Sequence, residues 1–193
     1  MSIPSLETGG AERQFVELAS GLTARGHEVL TVTLGHGGPL QAALSETRLV
    51  ALGKRNRLDN VRVAIKLAGL LRSFLPHIHY AFLPTCCVVG AMLKPLSPTS
   101  RLVMGLRATD VVHSAYSYGR AGRIMHGLEA RLSGLADLVI ANSHTGRQDA
   151  LARGFEADTT VVVPNGIDTA RCQPDKALGL PLRETWGIGP NER

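Results

Sequence analysis

Several groups of residues in this chain have types and spacing that could do chemistry. Gly9-Gly10-Ala11-Glu12-Arg13 puts two residues without side-chain bulk directly ahead of an amphipathic run. Amides at such a loop-to-helix junction, helped by the helix dipole, can meet a phosphate or sugar oxygen; a Gly-Gly pair also serves as plain turn punctuation. Arg107, Thr109 and Asp110 open a polar stretch, 107–118, that follows an apolar run. There the arginine can hold an anionic oxygen and the carboxylate can accept from a sugar hydroxyl, or the two can pair and pin the loop. Asn142-Ser143 stands where a second apolar run gives way to a helical one, so N-capping is its default role and ligand contact a second one. His77-x-His79 would place two imidazoles on one side of a strand, but no third ligand is spaced nearby. Packed or surface histidines are therefore expected there, and no metal. Ser114, Ser117 and Ser143 lie in no nucleophile-elbow context, which leaves a hydrolase triad without support. Cys86-Cys87, at the start of an apolar helix, read as packing residues.

The elements that must position these groups alternate. The first eight residues offer scarcely half of the apolar strand with which an α/β domain opens, and Pro4 weakens it as a central strand, so a truncated start is expected. Phe15, Leu18, Ala19 and Leu22 recur at helical spacing over 11–25, with Gly26 at the C-cap position. A β-branched strand over 28–34 follows, then a short helix near 39–45, a strand at 48–52 and a basic loop over 53–59. The spacing of Ala64, Leu67, Ala68, Leu71, Phe74 and Leu75 predicts a helix over 60–75, stopped by Pro76. Strand 77–83, apolar helix 85–94, a Pro-rich turn, strand 101–106, helix 119–134, strand 137–141, helix 143–153 and strand 159–163 complete the series. Pro164-Asn165-Gly166-Ile167-Asp168 closes it as a turn. Strands separated by helices through short connections require parallel pairing by right-handed crossovers. The expected fold is α/β: one Rossmann-like, doubly wound parallel sheet with helices on both faces. Its ligands belong at the C-terminal edge of the strands, where Gly9-Gly10 and 107–110 fall.

Composition narrows the classes. The 193 residues are 44% hydrophobic, 19% charged and 4% aromatic, which describes a globular chain with few base-stacking side chains. Nucleic acid is accordingly not an expected partner. The net charge of +5 is concentrated in Lys54, Arg55, Arg57, Arg62, Lys66 and Arg72, opposed locally by Asp59. Such a patch suits a solvated helix face and loop, or an anionic partner: lipid headgroups, nucleic acid or a phosphorylated substrate. No run of eighteen apolar residues occurs and no leader pattern opens the sequence. Three cysteines, two of them adjacent, fit reduced thiols, so a cytoplasmic location, peripheral at the inner face of the membrane, is expected. The three-glycine dinucleotide fingerprint is absent, which disfavours a nicotinamide dehydrogenase.

Four stretches in order, Gly9-Gly-Ala-Glu-Arg13, Gly105-Leu-Arg-Ala-Thr-Asp110, Ala136-Asp-Leu-Val-Ile-Ala-Asn-Ser143 and Val162-Val-Pro-Asn-Gly-Ile-Asp-Thr169, resemble the family-4 (group 1) glycosyltransferases over residues 5–190. That family has two Rossmann-like domains facing across a cleft, the GT-B fold. The resemblance implies that residues 1–163 are the N-terminal, acceptor-binding domain, and that 164–193 are the interdomain linker and the start of a C-terminal donor domain. Pro164, Asn165, Gly166 and Asp168 would form the hinge. Gly9, Gly10, Thr109, Asn142 and Ser143 would bind substrate, Arg107 and Asp110 would stand at the reaction centre, and the donor would be a nucleotide sugar without metal or other cofactor. The complete enzyme would be a retaining hexosyltransferase acting on a saccharide or lipid-linked acceptor in cell-surface polysaccharide or glycolipid synthesis, and the fragment alone would be inactive. The sequence departs from the family at Arg107, where many members carry histidine, and at Tyr80-Ala-Phe82, where a H-x-H pair is frequent after the fourth strand. Glu184 and Glu192 match the family's E-x7-E spacing by chance, since they follow the linker immediately. The reading outside this resemblance is a non-catalytic Rossmann-like module that binds a phosphorylated or glycosylated ligand.

Overall fold

A computed structural model describes residues 1–44, 47–107, 120–170, 172–174, 176–189 and 192. The strands are β1 (Ser2–Ile3), β2 (Leu30–Thr33), β3 (Arg48–Ala51), β4 (Ile78–Phe82), β5 (Arg101–Leu106), β6 (Leu138–Ala141) and β7 (Thr160–Val162). The helices are α1 (Gly10–Ala24), α2 (Asn60–Phe74), α3 (Leu83–Leu93), α4 (Arg120–Leu132), α5 (His144–Ala152) and α6 (Lys176–Thr185). All seven strands form one parallel sheet in the order β3-β2-β1-β4-β5-β6-β7. The chain winds outward from β1 to β3, crosses back through α2, and winds outward again from β4 to β7. This is the Rossmann-like arrangement the alternation predicts.

Register sorts the side chains into two cores. Val32, Ala81, Met104 and Val139 are linked through the pairings of Ser2 with Val32 and Ala81, of Ala81 with Met104 and of Met104 with Val139, so they share one face. They bury against Leu67 and Leu71 of α2, Cys86, Cys87 and Ala91 of α3 and Ala150 of α5. Ile3 and Phe82 point the other way and pack with Phe15, Val16 and Ala19 of α1. Parallel sheets survive by having both faces covered, and among the described residues the coverage is uneven: the second face packs chiefly on α1.

Local differences from the expectations have physical reasons. Pro4 does not keep the first strand from the sheet interior; it stands just past Ile3, and its carbonyl accepts from the Gly35 N–H at 2.9 Å. The helix near 39–45 is a 3-10 turn, Pro39–Leu44, and a second such turn, Arg57–Asp59, interrupts the basic loop. Leu75 does not join the buried stripe of α2: it caps the helix at φ 50°, ahead of Pro76, and is exposed. The apolar helix starts two residues early at Leu83, whose φ of 69° turns the chain off β4. His77 lies just outside β4, whereas His79 is buried, its Nε2 bonded to Ser2 Oγ at 2.9 Å. Burial, then the nearby terminal ammonium, lower its pKa to about 3, so it is a neutral core histidine. Burial likewise pushes the Cys86 thiol up to about 12, in keeping with a packing role.

Candidate functional site

Three successive exit loops form one side of the C-terminal edge of the sheet. After β1, Leu6 donates to the Gly37 carbonyl at 3.0 Å and accepts from Leu40 at 3.1 Å, so the loops after β1 and β2 are bonded together. Gly38 makes this fit possible, because a Cβ there would stand 2.3 Å from the Leu6 carbonyl. Gly53, leaving β3, donates to Gly35 at 3.0 Å and carries the same layer outward. The segment leading to Gly9 is therefore held on a rigid support.

Gly9 is the N-cap of α1, with φ −150° and ψ 165°, and its carbonyl accepts from Arg13 at 3.1 Å. That backbone is extended and open to any residue, so the glycine is used for space. A Cβ on Gly9 would run into the Glu12 carboxylate, which folds back over the helix start; a Cβ on Gly10 would meet nothing within 4 Å. No side chain caps the first turn. The junction thus presents backbone amides at the positive end of α1, unshielded at Gly10 and faced by one carboxylate at Gly9.

Arg107, leaving β5, is half-buried and holds two partners. One terminal nitrogen donates to Asn165 Oδ1 at 2.9 Å and the other to Tyr80 Oη at 3.0 Å, while the guanidinium lies 4.5 Å above the Phe82 ring. Its buried Nε–H has no hydrogen-bond partner among the described residues. Tyr80 and Phe82 alternate onto one face of β4, with ring centroids 4.6 Å apart, and Phe15 of α1 meets Phe82 edge-on at 5.2 Å. They lie within β4 and not after it. Gly105 leaves room for this arrangement, since a Cβ there would come 2.9 Å from the Tyr80 ring. Burial raises the Tyr80 pKa, and the Arg107 charge and hydrogen bond offset part of that rise.

The turn after β7 is gripped from two sides. Asn165 is held by Arg107, and Gly166 by the Gln14 side chain of α1. The Gln14 amide donates to the Gly166 carbonyl at 2.9 Å and accepts from its N–H at 3.1 Å. The structure therefore brings Gly9, Gly10, Arg107, Asn165 and Gly166 to one end of the sheet. Ser143 serves as N-cap of α5, accepting from Gly146 N–H at 3.0 Å, and Asn142 stands beside it at the exit of β6. Pro164 and Asp168 flank the gripped pair and are exposed. Thr109 and Asp110 lie outside the described residues. Glu192 accepts from Gly189 N–H at 2.7 Å, a local turn contact. Gln14 and the Tyr80 hydroxyl are the members that sequence reasoning missed. Gln14 sits 152 residues from its partner, and no local pattern signals such a contact.

Beyond this edge, a basic cleft of about 600 Å³ opens where β3 ends, lined by His36, Arg55, Asp59, Arg62 and Lys66. Asp59 is locally consumed: its Oδ2 accepts from the Arg55 and Asn56 amides, at 2.8 and 3.3 Å.

Comparison with known proteins agrees with this geometry. Solved structures of similar fold include Anabaena Alr3699/HepE in complex with UDP-glucose, with TM-score 0.75 and 22% identity over 98% of this chain and 50% of that one. The lipopolysaccharide outer core galactosyltransferase WaaB, in its apo form, matches with TM-score 0.60 and 14% identity over 90% of this chain and 50% of that one. Acinetobacter baumannii MurG matches with TM-score 0.56 and 13% identity over 90% and 47%. The chain spans about half the length of each. No curated protein matches it in sequence. The family model for Glycosyltransferase Family 4 matches residues 8–171, and the chain belongs to that family.

Proposed function

We propose that this chain is the acceptor-side half of a glycosyltransferase that moves a sugar from a nucleotide-sugar donor to a saccharide or lipid-linked acceptor. The observation that carries the reading is the double grip on the turn after β7. Arg107 and Gln14 fix Asn165 and Gly166 beside the start of α1, so the segment that leaves the domain is registered against the glycine junction. A second domain following that segment would face the bare amides at Gly10 across a cleft. In this reading residues 1–163 are the acceptor domain, Pro164 to Asp168 the hinge, and 164–193 the linker and the beginning of the donor domain.

The chemistry follows from the positions. As the sugar–phosphate bond breaks, negative charge grows on the departing diphosphate, and preorganised amides at the α1 start are placed to stabilise it. Glu12 must swing away from Gly9 for an anion to reach the whole first turn. Arg107 orients the site by holding the hinge turn through Asn165. Retention at the anomeric carbon belongs to this proposal, as do an acceptor role for Asp110 and Thr109 and the inactivity of the chain alone. UDP-sugars are the donors of choice for testing, because solved structures of similar fold carry UDP or UDP-glucose.

The acceptor's setting is proposed to be an anionic membrane surface. Val61 and Ile65 of α2 are 70% and 67% exposed one turn apart, Leu58 in the 3-10 turn ahead of them is 91% exposed, and Arg62 and Lys66 form the stripe beside them. An apolar ridge flanked by cations suits lipid headgroups better than free solvent.

The test is release of UDP from UDP-glucose and related sugars. The reading expects none from the 193-residue chain and turnover once its coding sequence is continued past Arg193. Turnover by the chain alone, or none by the continued protein with any UDP-sugar, contradicts it.

A further inference from the structure

Where β3 ends, the basic cleft gathers more positive charge than it answers. Arg55, Arg62 and Lys66 line it together with His36, and among the described residues Asp59 is its one carboxylate. Asp59 is spent within its own turn: Oδ2 accepts from the Arg55 and Asn56 amides, and Oδ1 lies 3.4 Å from Arg62. Arg55 and Lys66 form no ion pair among the described residues. Arg62 and Lys66 stand one turn apart on α2, a spacing at which like charges disfavour each other. Neutral contacts keep them there. Arg62 donates to the Gly53 carbonyl at 2.9 Å, and Lys66 reaches the Leu52 carbonyl at 3.5 Å. These carbonyls orient the two heads toward the exit of β3 and cancel none of their charge. On the other side of the exit, the His36 ring packs beside Gly53, whose φ of 72° turns the chain out of β3.

Charge and size together select the ligand. Three cations against one carboxylate leave two positive charges unmatched, and a phosphate monoester carries roughly −1.5 to −2 at pH 7 on three acceptor oxygens. Two guanidinium forks and an ammonium suit those oxygens, whereas a single carboxylate would satisfy half of the charge. The space of about 600 Å³ is far larger than a phosphate alone, since a water in the liquid takes about 30 Å³. It matches clefts that hold small organic ligands, so the phosphate comes with a sugar-sized or glycerol-sized group attached. The cleft also opens at the ligand-facing edge. β3 and β1 stand two inter-strand spacings apart, about 10 Å, so the cleft neighbours the segment that leads from β1 to Gly9.

We propose that the basic cleft after β3 binds a phosphate monoester carried on a sugar or glycerol group, with Arg55, Arg62 and Lys66 on the phosphate oxygens. In naming that phosphate as part of the acceptor, the proposal rests on the acceptor-domain reading; phosphate binding itself is measured without any turnover, so failure of one leaves the other standing.

The test titrates the 193-residue chain with inorganic phosphate, glucose 1-phosphate and glucose by calorimetry, and floats it with phosphatidylcholine vesicles with and without phosphatidic acid. Arg62→Gln with Lys66→Gln removes two of the cations. Arg25→Gln with Arg48→Gln removes the same charge at the opposite edge of the sheet, at the end of α1 and the start of β3. Saturable one-to-one binding of glucose 1-phosphate is expected, tighter than inorganic phosphate and absent for glucose. The first double variant should lose at least about tenfold in that affinity, and the second should stay within about twofold. In the unaltered chain, amide shifts on binding should centre on Gly53, Arg55 and Asn56. Vesicle binding that requires phosphatidic acid and is displaced by glucose 1-phosphate names a lipid headgroup as the source. Soluble binding without vesicle binding names a free phosphorylated sugar, and both results uphold the site. Absence of saturable phosphate binding, equal loss in the two double variants, or shifts centred on Gly10 overturns the proposal.

Discussion

At the residue scale, Gly38 is a glycine that the fold needs for space and Gly10 is one that it does not. A Cβ at Gly38 would collide with the Leu6 backbone, whereas one at Gly10 enters open space. Gly38→Ala is therefore expected to destabilise by about 2–4 kcal/mol, through backbone strain and overpacking, in chemical unfolding. Gly10→Val should leave stability within about 1 kcal/mol while cutting turnover by the continued enzyme at least tenfold. If Gly10→Val unfolds the chain as readily as Gly38→Ala, the glycine pair is structural and the anion reading loses its footing. Titratable residues set a pH dependence of known sign. Partial burial pushes the Asp137 carboxyl up, but hydrogen bonds from Lys94, Arg101 and the Leu102 amide outweigh this and hold it well below the usual carboxylate range. Its stabilisation is complete above about pH 4 and is lost as pH falls further. The Met1 ammonium and His79 are bases with lowered folded pKa values, about 5 and about 3, from 8.0 and 6.5. In those windows the unfolded chain binds more protons, so stability declines as pH falls from 8 toward 5 and again below 6.5. Asp137→Asn should flatten the part of the profile below about pH 4 and lower stability at pH 7 by about 1–3 kcal/mol; an unchanged acid limb excludes this assignment.

At the element scale, the site depends on struts between segments distant in sequence. Arg107→Met removes the bonds to Tyr80 and Asn165, and Gln14→Leu removes the pair to Gly166. Each is expected to cost about 1–3 kcal/mol and to loosen the turn after β7, visible as faster amide exchange at Gly166. A double variant whose exchange equals that of either single one would mean the two grips act as one unit. Ser143→Ala, loss of a helix cap, should cost about 1 kcal/mol. Much of the element series was legible because the strands are β-branched and the helices carry apolar stripes, as Phe15, Leu18, Ala19 and Leu22 do. Leu75 misled because its spacing extends the stripe of α2, while its left-handed C-cap conformation ends the helix and leaves it exposed. β1 was underrated for the opposite reason: two residues suffice inside the sheet when both neighbours hold them. The site was legible only where it is local. Gly9, Gly10 and Ser143 announce a helix start, but Gln14 gripping Gly166 and Tyr80 under Arg107 are products of strand order, which no window of sequence contains.

At the scale of the whole molecule, a seven-stranded parallel sheet gathers every exit loop at one end, and the chain leaves that end through a turn fixed at two points. The basic cleft after β3 and the apolar ridge of Leu58, Val61 and Ile65 lie on the outward-wound half, away from the exit through β7. In the proposed reading, the donor side and the membrane side are thereby kept apart. Flotation with vesicles tests the second: the chain should bind vesicles containing anionic lipid and lose binding when Val61 and Ile65 become serine, and equal binding to neutral vesicles contradicts the electrostatic share. The central claim, that this chain is the acceptor half, is tested most directly by titration calorimetry with UDP-glucose and, separately, with lipid-linked saccharides in detergent. The account predicts heat from a saccharide acceptor and a dissociation constant for UDP-glucose weaker than about 1 mM. Micromolar binding of UDP-glucose by these 193 residues, with no response to any saccharide, would contradict it.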